Sequence, residues 1–335
     1  MRVTEARWDT TRIITGLVFP IRININATRQ NIDSMKISGE AEELSELRRQ
    51  VYNRKRSLSD EPFVTTFRQR TFDSPDLAGV FHENTKTDRQ WQRRTRKNSN
   101  ELKGQLHAAA AEVDPDYPGQ ELLPLPDDVS LDADIGTVLQ RRRSVRSHAP
   151  SPVSRRDLAR VLRYGAGVST IDEGKRKRTY PSPGALYPTE IYVAALRTDD
   201  IDEGLYYYNA RRHALRVLRR DDPEEIRRDV LGGFRSGKTN DARSFDDVPL
   251  VVLLTGSFWR VKFKYGPRGY RYVLQESGHL AQNLLLAAEA DGLVGFPYSA
   301  FDDEHMNDLL NVDGVNEATL YTVLLGHEAG GVRDE

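Results

Sequence analysis

An α+β fold is what this sequence predicts, on three observations. Residues 250–255 form an unbroken apolar run after Pro249, as expected of a strand covered on both faces. Residues 270–290 place Val273, Leu274, Leu280, Leu284, Ala287 and Ala288 at helical spacing. Around them strand, hairpin, helix, strand, long helix, helix and strand follow one another without the regular alternation of a parallel wind.

Each element has its own justification in chain order. Residues 13–25 read as one or two strands interrupted by Gly16 and Pro20. Residues 41–51 read as an amphipathic helix with Leu44, Leu47 and Val51 on one side. Residues 115–128 are rich in Pro and Asp and punctuate the chain as a linker would. The chain is thereby divided into an N-terminal region, 1–130, which suits a small separate peptide-binding or dimerisation domain, and a second domain, 131–335. A short helix is expected over 135–140. Ser154 can cap a helix over 155–164, with Leu158, Val161 and Leu162 as its apolar stripe and Gly165 as its stop. Lys175, Arg176, Lys177 and Arg178 read as a mobile surface loop. Residues 190–196 form a strand, with Ile191, Val193 and Ala195 on one side, and residues 204–209 and 214–218 form a hairpin. Pro223 opens a helix over 224–231, because a first-turn proline loses no hydrogen bond. Residues 304–310 are a shorter helix and 319–325 a final apolar strand.

Composition narrows the function. Hydrophobic residues, 38% of 335, suffice for a core, and a net charge of -1 gives no general attraction to nucleic acid. Cysteine is absent, which excludes disulfides, thiol catalysis and thiolate metal sites. With seven histidines and no His-Glu-x-x-His spacing, no metal is expected. No apolar run approaches the ~20 residues of a membrane span, and the N-terminus lacks the apolar core of a signal peptide. A cytoplasmic protein without a membrane partner is expected.

Three clusters carry chemistry. Arg142, Arg143, Ser144 and Arg146 offer forked guanidinium donors and a hydroxyl, the groups a phosphate monoester wants; the alternative is a solvated basic turn before Pro150. Ser182, Gly184 and Ala185 sit in a Pro-stiffened loop whose bare backbone suits a planar ring; the alternative is an ordinary turn before a strand. Lys264 and Tyr265 lie in a loop crowded with Arg268, Tyr270 and Arg271. In a desolvated pocket each can have its proton affinity tuned for acid–base work; the alternative is a basic loop held by cation–π contacts. Together the three suggest a flavin-binding oxidoreductase. Glu276 and His279 are helical neighbours and read as a structural hydrogen bond or a catalytic pair. Residues 232–239 match the phosphate-loop pattern letter for letter, but a helix rather than a strand is expected before them, so a flexible loop is favoured.

On these residues, 134–327 resemble the nitroreductase-like FMN oxidoreductases. The closer likeness is to the SagB/ThcOx-type azoline dehydrogenases of ribosomal peptide natural-product pathways. The carrying motifs are Arg-Arg-Ser-Val-Arg, Pro-Ser-Pro-Gly-Ala-Leu-Tyr-Pro-Thr-Glu-Ile-Tyr, Lys-Tyr-Gly-Pro-Arg-Gly-Tyr-Arg-Tyr and Glu-Ser-Gly-His-Leu-Ala-Gln-Asn-Leu. Phe-His-Glu-Asn-Thr-Lys, ending at Lys86, also looks like a short motif of that branch.

The resemblance implies a nitroreductase-like sandwich with a central mixed sheet flanked by helices, homodimeric, with FMN at the subunit interface. It implies that Arg142, Arg143, Ser144 and Arg146 hold the phosphate and ribityl chain. Ser182, Gly184 and Ala185 are implied at the isoalloxazine edge, from either subunit, and Phe296, Pro297 and Tyr298 over a ring face. His327 stands where the family places a basic residue near the phosphate. Lys264 and Tyr265 match the branch's catalytic pair, either of which would take a ring proton as a peptide thiazoline or oxazoline becomes thiazole or oxazole. The implied partners are an azoline-containing peptide and a cyclodehydratase complex. The rival readings are an NAD(P)H-dependent nitroreductase or quinone reductase and a non-catalytic subunit that binds peptide or another enzyme.

Overall fold

The computed structural model describes residues 77–87, 117, 119–172, 175–220, 222–234 and 245–330, all in one unit, Leu77–Glu335. The strands expected over 13–25 and the helix over 41–51 lie outside the described residues. In chain order the elements are α1 (Leu77–Asn84), β1 (Leu122–Pro124), α2 (Ile135–Arg141), β2 (Val153–Ser154), α3 (Arg155–Ala166), β3 (Val168–Asp172), β4 (Lys175–Arg178) and β5 (Thr189–Ala195). There follow β6 (Thr198–Asp199), β7 (Gly204–Asn209), β8 (Ala214–Arg219), α4 (Pro223–Gly232), β9 (Leu250–Ser257) and α5 (Trp259–Tyr265). The last are α6 (Gly269–Ala290), β10 (Val294–Tyr298), α7 (Asp303–Leu310) and β11 (Glu317–Gly326).

Seven strands form the central sheet in the order β1-β8-β7-β5-β9-β11-β10. The sheet expected to be mixed is antiparallel at every one of these pairings. Among the described residues, parallel pairing is confined to β2 with β6 and to a bridge from Ser144 to Gly295 on the free edge of β10. The strand β9 is central and wholly buried, as its unbroken apolar run requires.

Alternation sends β-strand side chains to two cores. Ile191, Val193, Val252 and Leu254 face α3 and α6, where they meet Leu158, Leu162, Leu280 and Leu284. Tyr192, Ala194, Val251 and Leu253 face the opposite way, toward α4 and α7 with Ile226, Val230, Met306 and Leu310. The result is helices, sheet, helices, with the two cores on either side of one sheet.

Local signals fix most element ends. Ser154 and Asp157 form a complete capping box on α3, and Asp222, ahead of Pro223, caps α4. Gly165 does not end α3. It lies inside the helix because a Cβ there would come 2.7 Å from Leu284 Cδ2 of α6, so glycine serves close helix packing instead. The stretch expected to be a linker supplies β1, the sheet's edge strand, and buries Leu125. The run of four cations is not a loop: β4 pairs with β3 as a hairpin, which its lack of apolar residues concealed. Residues 235–239 of the phosphate-loop match lie outside the described residues, and α4 rather than a strand precedes them.

Candidate active site

Lys264 and Tyr265 end a helix rather than sit in a loop. Gly266 caps α5 with φ 58° and ψ -149°, a conformation open to glycine, and the chain turns directly into α6. Lys264 Nζ lies 5.1 Å from the Tyr265 ring centroid. Both tips converge on Gly184: a Cβ built there would lie 2.5 Å from Lys264 Nζ and 2.8 Å from the Tyr265 hydroxyl. Two motifs some eighty residues apart in sequence thus meet at one point. Tyr265 packs edge-on against Tyr272 at 5.0 Å. Burial, with a smaller contribution from Tyr272, pushes its phenol above the ordinary range. Tyr265 therefore keeps its proton near neutral pH.

The facing loop is conformationally strained and heavily tied. Gly184, Ala185 and Tyr187 have φ of 65°, 54° and 46°. The left-handed region costs a non-glycine residue about 1–2 kcal/mol. Tyr187 N–H donates to Ser182 Oγ at 2.8 Å, Ala185 N–H donates to the Ser182 carbonyl at 3.1 Å, and Arg178 N–H donates to the Tyr187 hydroxyl at 2.9 Å. The loop and β4 line a cleft of about 460 Å³ that includes Ser182, Gly184 and Ala185.

Buried groups hold this region from below; sequence reasoning passes over Arg260 and pairs Glu276 with His279 instead. Arg260 of α5 is 3% exposed. It donates to the Tyr187 carbonyl at 2.8 Å and pairs with buried Glu190 of β5, which also accepts from the Tyr207 hydroxyl at 2.8 Å. Arg260 precedes Lys264 by one helical turn, so it ties the lysine's helix to the Gly184 loop. Glu276 of α6 is buried and accepts from Thr189 N–H at 3.1 Å, while its other oxygen has no hydrogen-bond partner among the described residues. Burial pushes its carboxyl up to about 7, against the pull of Ser182, Thr189 and Arg178. His279 was its expected partner, but the carboxyl turns to the loop instead.

The second cluster lies at the other end of the sheet. Arg142 caps α2, Ser144 bridges to Gly295, and Val145 N–H donates to the Gly295 carbonyl at 3.2 Å. Arg143 donates to the carbonyls of Gln140 and Arg142 at 2.5 and 2.9 Å. The Arg146 guanidinium lies 5.4 Å from the Phe296 ring centroid. His327 follows Gly326 at the end of β11 but turns to the Pro152 carbonyl, 3.2 Å from its Nε2, on the side of Asp291 rather than toward Arg146. His148, which sequence reasoning missed, stacks on Phe296 at 6.1 Å. It is buried with neither ring nitrogen hydrogen-bonded among the described residues, and burial pulls its imidazole down to about 4. Phe296 itself is 1% exposed and packs in the sheet core, which corrects the expectation of a ring face open to a ligand. Pro297 and Tyr298 are half-buried.

Strand register separates the clusters. Gly295 is level with Leu325 and Leu250, whereas Thr189, at the end of the Gly184 loop, is level with Gly256. Those levels are six residue steps apart on β9, about 20 Å along the strand. Within one chain the structure brings Gly184, Lys264 and Tyr265 together, and separately Ser144 and Arg146 beside β10, but not the two sets.

Both sets fit a flavin mononucleotide in chemistry. Exposed Ser144 and Arg146, with half-buried Arg142, provide hydroxyl and guanidinium donors for a phosphate, and the loop at Ser182, Gly184 and Ala185 lines a cleft beside the Lys264 and Tyr265 tips.

An antiparallel sheet between helix layers thus carries a Lys–Tyr pair over a glycine turn. Residues 139–327 match the Nitroreductase family, and the chain belongs to it. It is 35% identical over 176 residues to the provisionally named nitroreductase MJ1384 of Methanocaldococcus jannaschii, covering 52% of this chain and 83% of that one. It is 32% identical over 164 residues to the Microcin B17-processing protein McbC of Escherichia coli, covering 47% of this chain and 57% of McbC. It is 32% identical over 178 residues to the Trifolitoxin-processing protein TfxB of Rhizobium leguminosarum bv. trifolii, covering 52% of this chain and 41% of TfxB. The chain thus spans less than two thirds of either processing protein. A crystal structure of an Anabaena variabilis protein described as a nitroreductase shares the fold, with TM-score 0.52 and 23% identity over 63% of this chain and 42% of that one. Among the described residues no helix is long and apolar enough to cross a membrane, and no group of three or more His, Asp or Glu could hold a metal.

Proposed function

We propose that this protein is an FMN-dependent dehydrogenase that oxidises thiazoline or oxazoline rings in a peptide to thiazole or oxazole. The observation that carries the reading is the convergence of Lys264 Nζ and the Tyr265 hydroxyl on Gly184. Its setting is a nitroreductase-family domain about one third identical to two peptide-processing proteins. FMN, when bound, supplies the two-electron oxidant. Arg142, Arg143, Ser144 and Arg146 would hold its phosphate end, Ser182, Gly184 and Ala185 its ring edge, and Pro297 and Tyr298 a ring face. The ~20 Å between the two sets favours a homodimer in which each site takes one set from each copy.

Aromatisation of an azoline removes a proton and a hydride. Lys264 takes the proton from the ring carbon. Tyr265 keeps its own proton and donates to a ring heteroatom, which orients the substrate. The strained loop presents backbone rather than side chain, so the ring can approach closely. An azoline arises by loss of water between a Ser, Thr or Cys side chain and the preceding carbonyl. A cyclodehydratase must therefore supply the substrate and is the partner expected.

A second reading, NAD(P)H-dependent reduction of nitroaromatics or quinones, is favoured by the 83% coverage of MJ1384. The deciding experiment loads the chain with FMN and incubates it with azoline-containing peptides. Loss of two hydrogens by mass, abolished in Lys264→Ala with FMN retained, is the expected result. Unchanged peptides together with rapid bleaching by NADPH would establish the second reading. A chain that cannot be loaded with FMN would point to a non-catalytic subunit.

A further inference from the structure

The helix α1 lies outside the residues that match the family, yet it is fastened to the turn that follows Lys264 and Tyr265. Arg268 Nη1 donates to the Thr85 carbonyl at 2.7 Å and Arg271 Nη2 donates to the His82 carbonyl at 2.6 Å. Phe81 packs edge-on to Tyr270 at 5.5 Å, and the Arg271 guanidinium lies 5.6 Å from the Phe81 ring centroid. Thr85 is 3% exposed. Carbonyls at a helix C-terminus have no partner within the helix and carry its partial negative charge, so two guanidinium groups satisfy them well.

The same Arg268 reaches the site. Its Nε donates to the Tyr272 hydroxyl at 3.0 Å, and the Tyr272 ring holds Tyr265 edge-on. One planar guanidinium therefore spans from the end of α1 to the aromatic wall of Tyr265. A lysine, with a single point charge, cannot make both bonds in that geometry.

We propose that Arg268 is a positioning residue, and that α1 and Arg268 together fix Tyr272 and Tyr265 for the reaction. The motif around Phe81 to Lys86 is then part of the catalytic apparatus rather than of a separate binding domain. This inference rests on the dehydrogenase reading for its rate effect alone.

The test uses the full chain and the variants Arg268→Ala and Arg268→Lys. In Arg268→Ala, kcat for azoline oxidation falls on the order of 10²-fold, as expected for a reacting group misplaced by about 1 Å. FMN content and KM change little, and Arg268→Lys recovers only part of the loss. Amide hydrogen exchange across residues 77–87 quickens, and the Tyr265 phenol titrates at lower pH because its cover is loosened. Wild-type kcat with unchanged exchange in Arg268→Ala would overturn the proposal. If that variant melts below the assay temperature, Arg268→Lys decides: full kcat with full protection overturns the proposal. If the wild-type chain oxidises no azoline, exchange and the tyrosine titration decide alone, since neither needs a substrate.

Discussion

Replacing Gly184 by alanine tests the seat of the lysine–tyrosine pair. Gly184 has φ 65° and ψ 19°, and holding alanine there costs about 1–2 kcal/mol. The new methyl would lie 2.5 Å from Lys264 Nζ and 2.8 Å from the Tyr265 hydroxyl, both inside contact distance. These obstacles are tips of flexible side chains, which move aside more cheaply than backbone. The folding cost therefore stays near the backbone figure, roughly 2–8 °C in Tm at about 2–4 °C per kcal/mol. The larger effect falls on the reaction. Moving two acid–base groups by about 1 Å lowers the rate on the order of 10²-fold. The assay is azoline turnover per bound flavin, with flavin content measured by absorbance so that binding and chemistry separate. Gly232→Ala is the control, because nothing lies within 4 Å of a Cβ there. Unchanged turnover per flavin in Gly184→Ala would refute the argument that this glycine seats the pair.

Three further outcomes follow from the same structure. Burial holds the Glu276 carboxyl up at about 7, from an ordinary 4.5, so the folded state keeps a proton that the unfolded state releases. Stability from this group is full below pH ~4.5 and is lost by about 3 kcal/mol as pH rises through ~7. Glu276→Gln removes that slope and is more stable than wild type at pH 8 in urea titrations; equal slopes would count against it. Arg260→Met leaves Glu190 buried without its cation and costs about 3–5 kcal/mol, whereas Arg260→Met combined with Glu190→Leu costs less; equal losses would show that the unpaired charge is not the cause. Arg146→Ala weakens FMN about 10- to 100-fold, the worth of one charge-assisted hydrogen bond, and leaves riboflavin affinity unchanged. A flavin fluorescence titration reads both, and parallel losses would place Arg146 away from the phosphate.

Much of the frame was legible because its signals are local. The capping box at Ser154, the proline opening α4 and the apolar runs of β9 and α6 each name an element from adjacent residues. The errors fall where tertiary contacts override or hide the local signal. Gly165 was read as a stop, and only the approach of Leu284 explains a glycine inside α3. The four cations of β4 carry no apolar alternation, so their pairing with β3 left no trace. Phe296 looked like a ligand face, although its ring is consumed by the core.

The sequence alone determined the chemical inventory: arginines with a serine, a glycine turn between prolines, a lysine beside a tyrosine, and no thiol. These are residue types and spacings, which chain connectivity fixes. Tertiary structure decided which of them meet. Strand register sets the arginine cluster and the Gly184 loop at opposite ends of the sheet, while the turn from α5 into α6 swings Lys264 and Tyr265 onto that loop. It also drew in Arg260, Glu276 and Arg268, whose roles come from burial and from partners distant in the chain. Such contacts follow from packing many segments at once, and no window of sequence contains them.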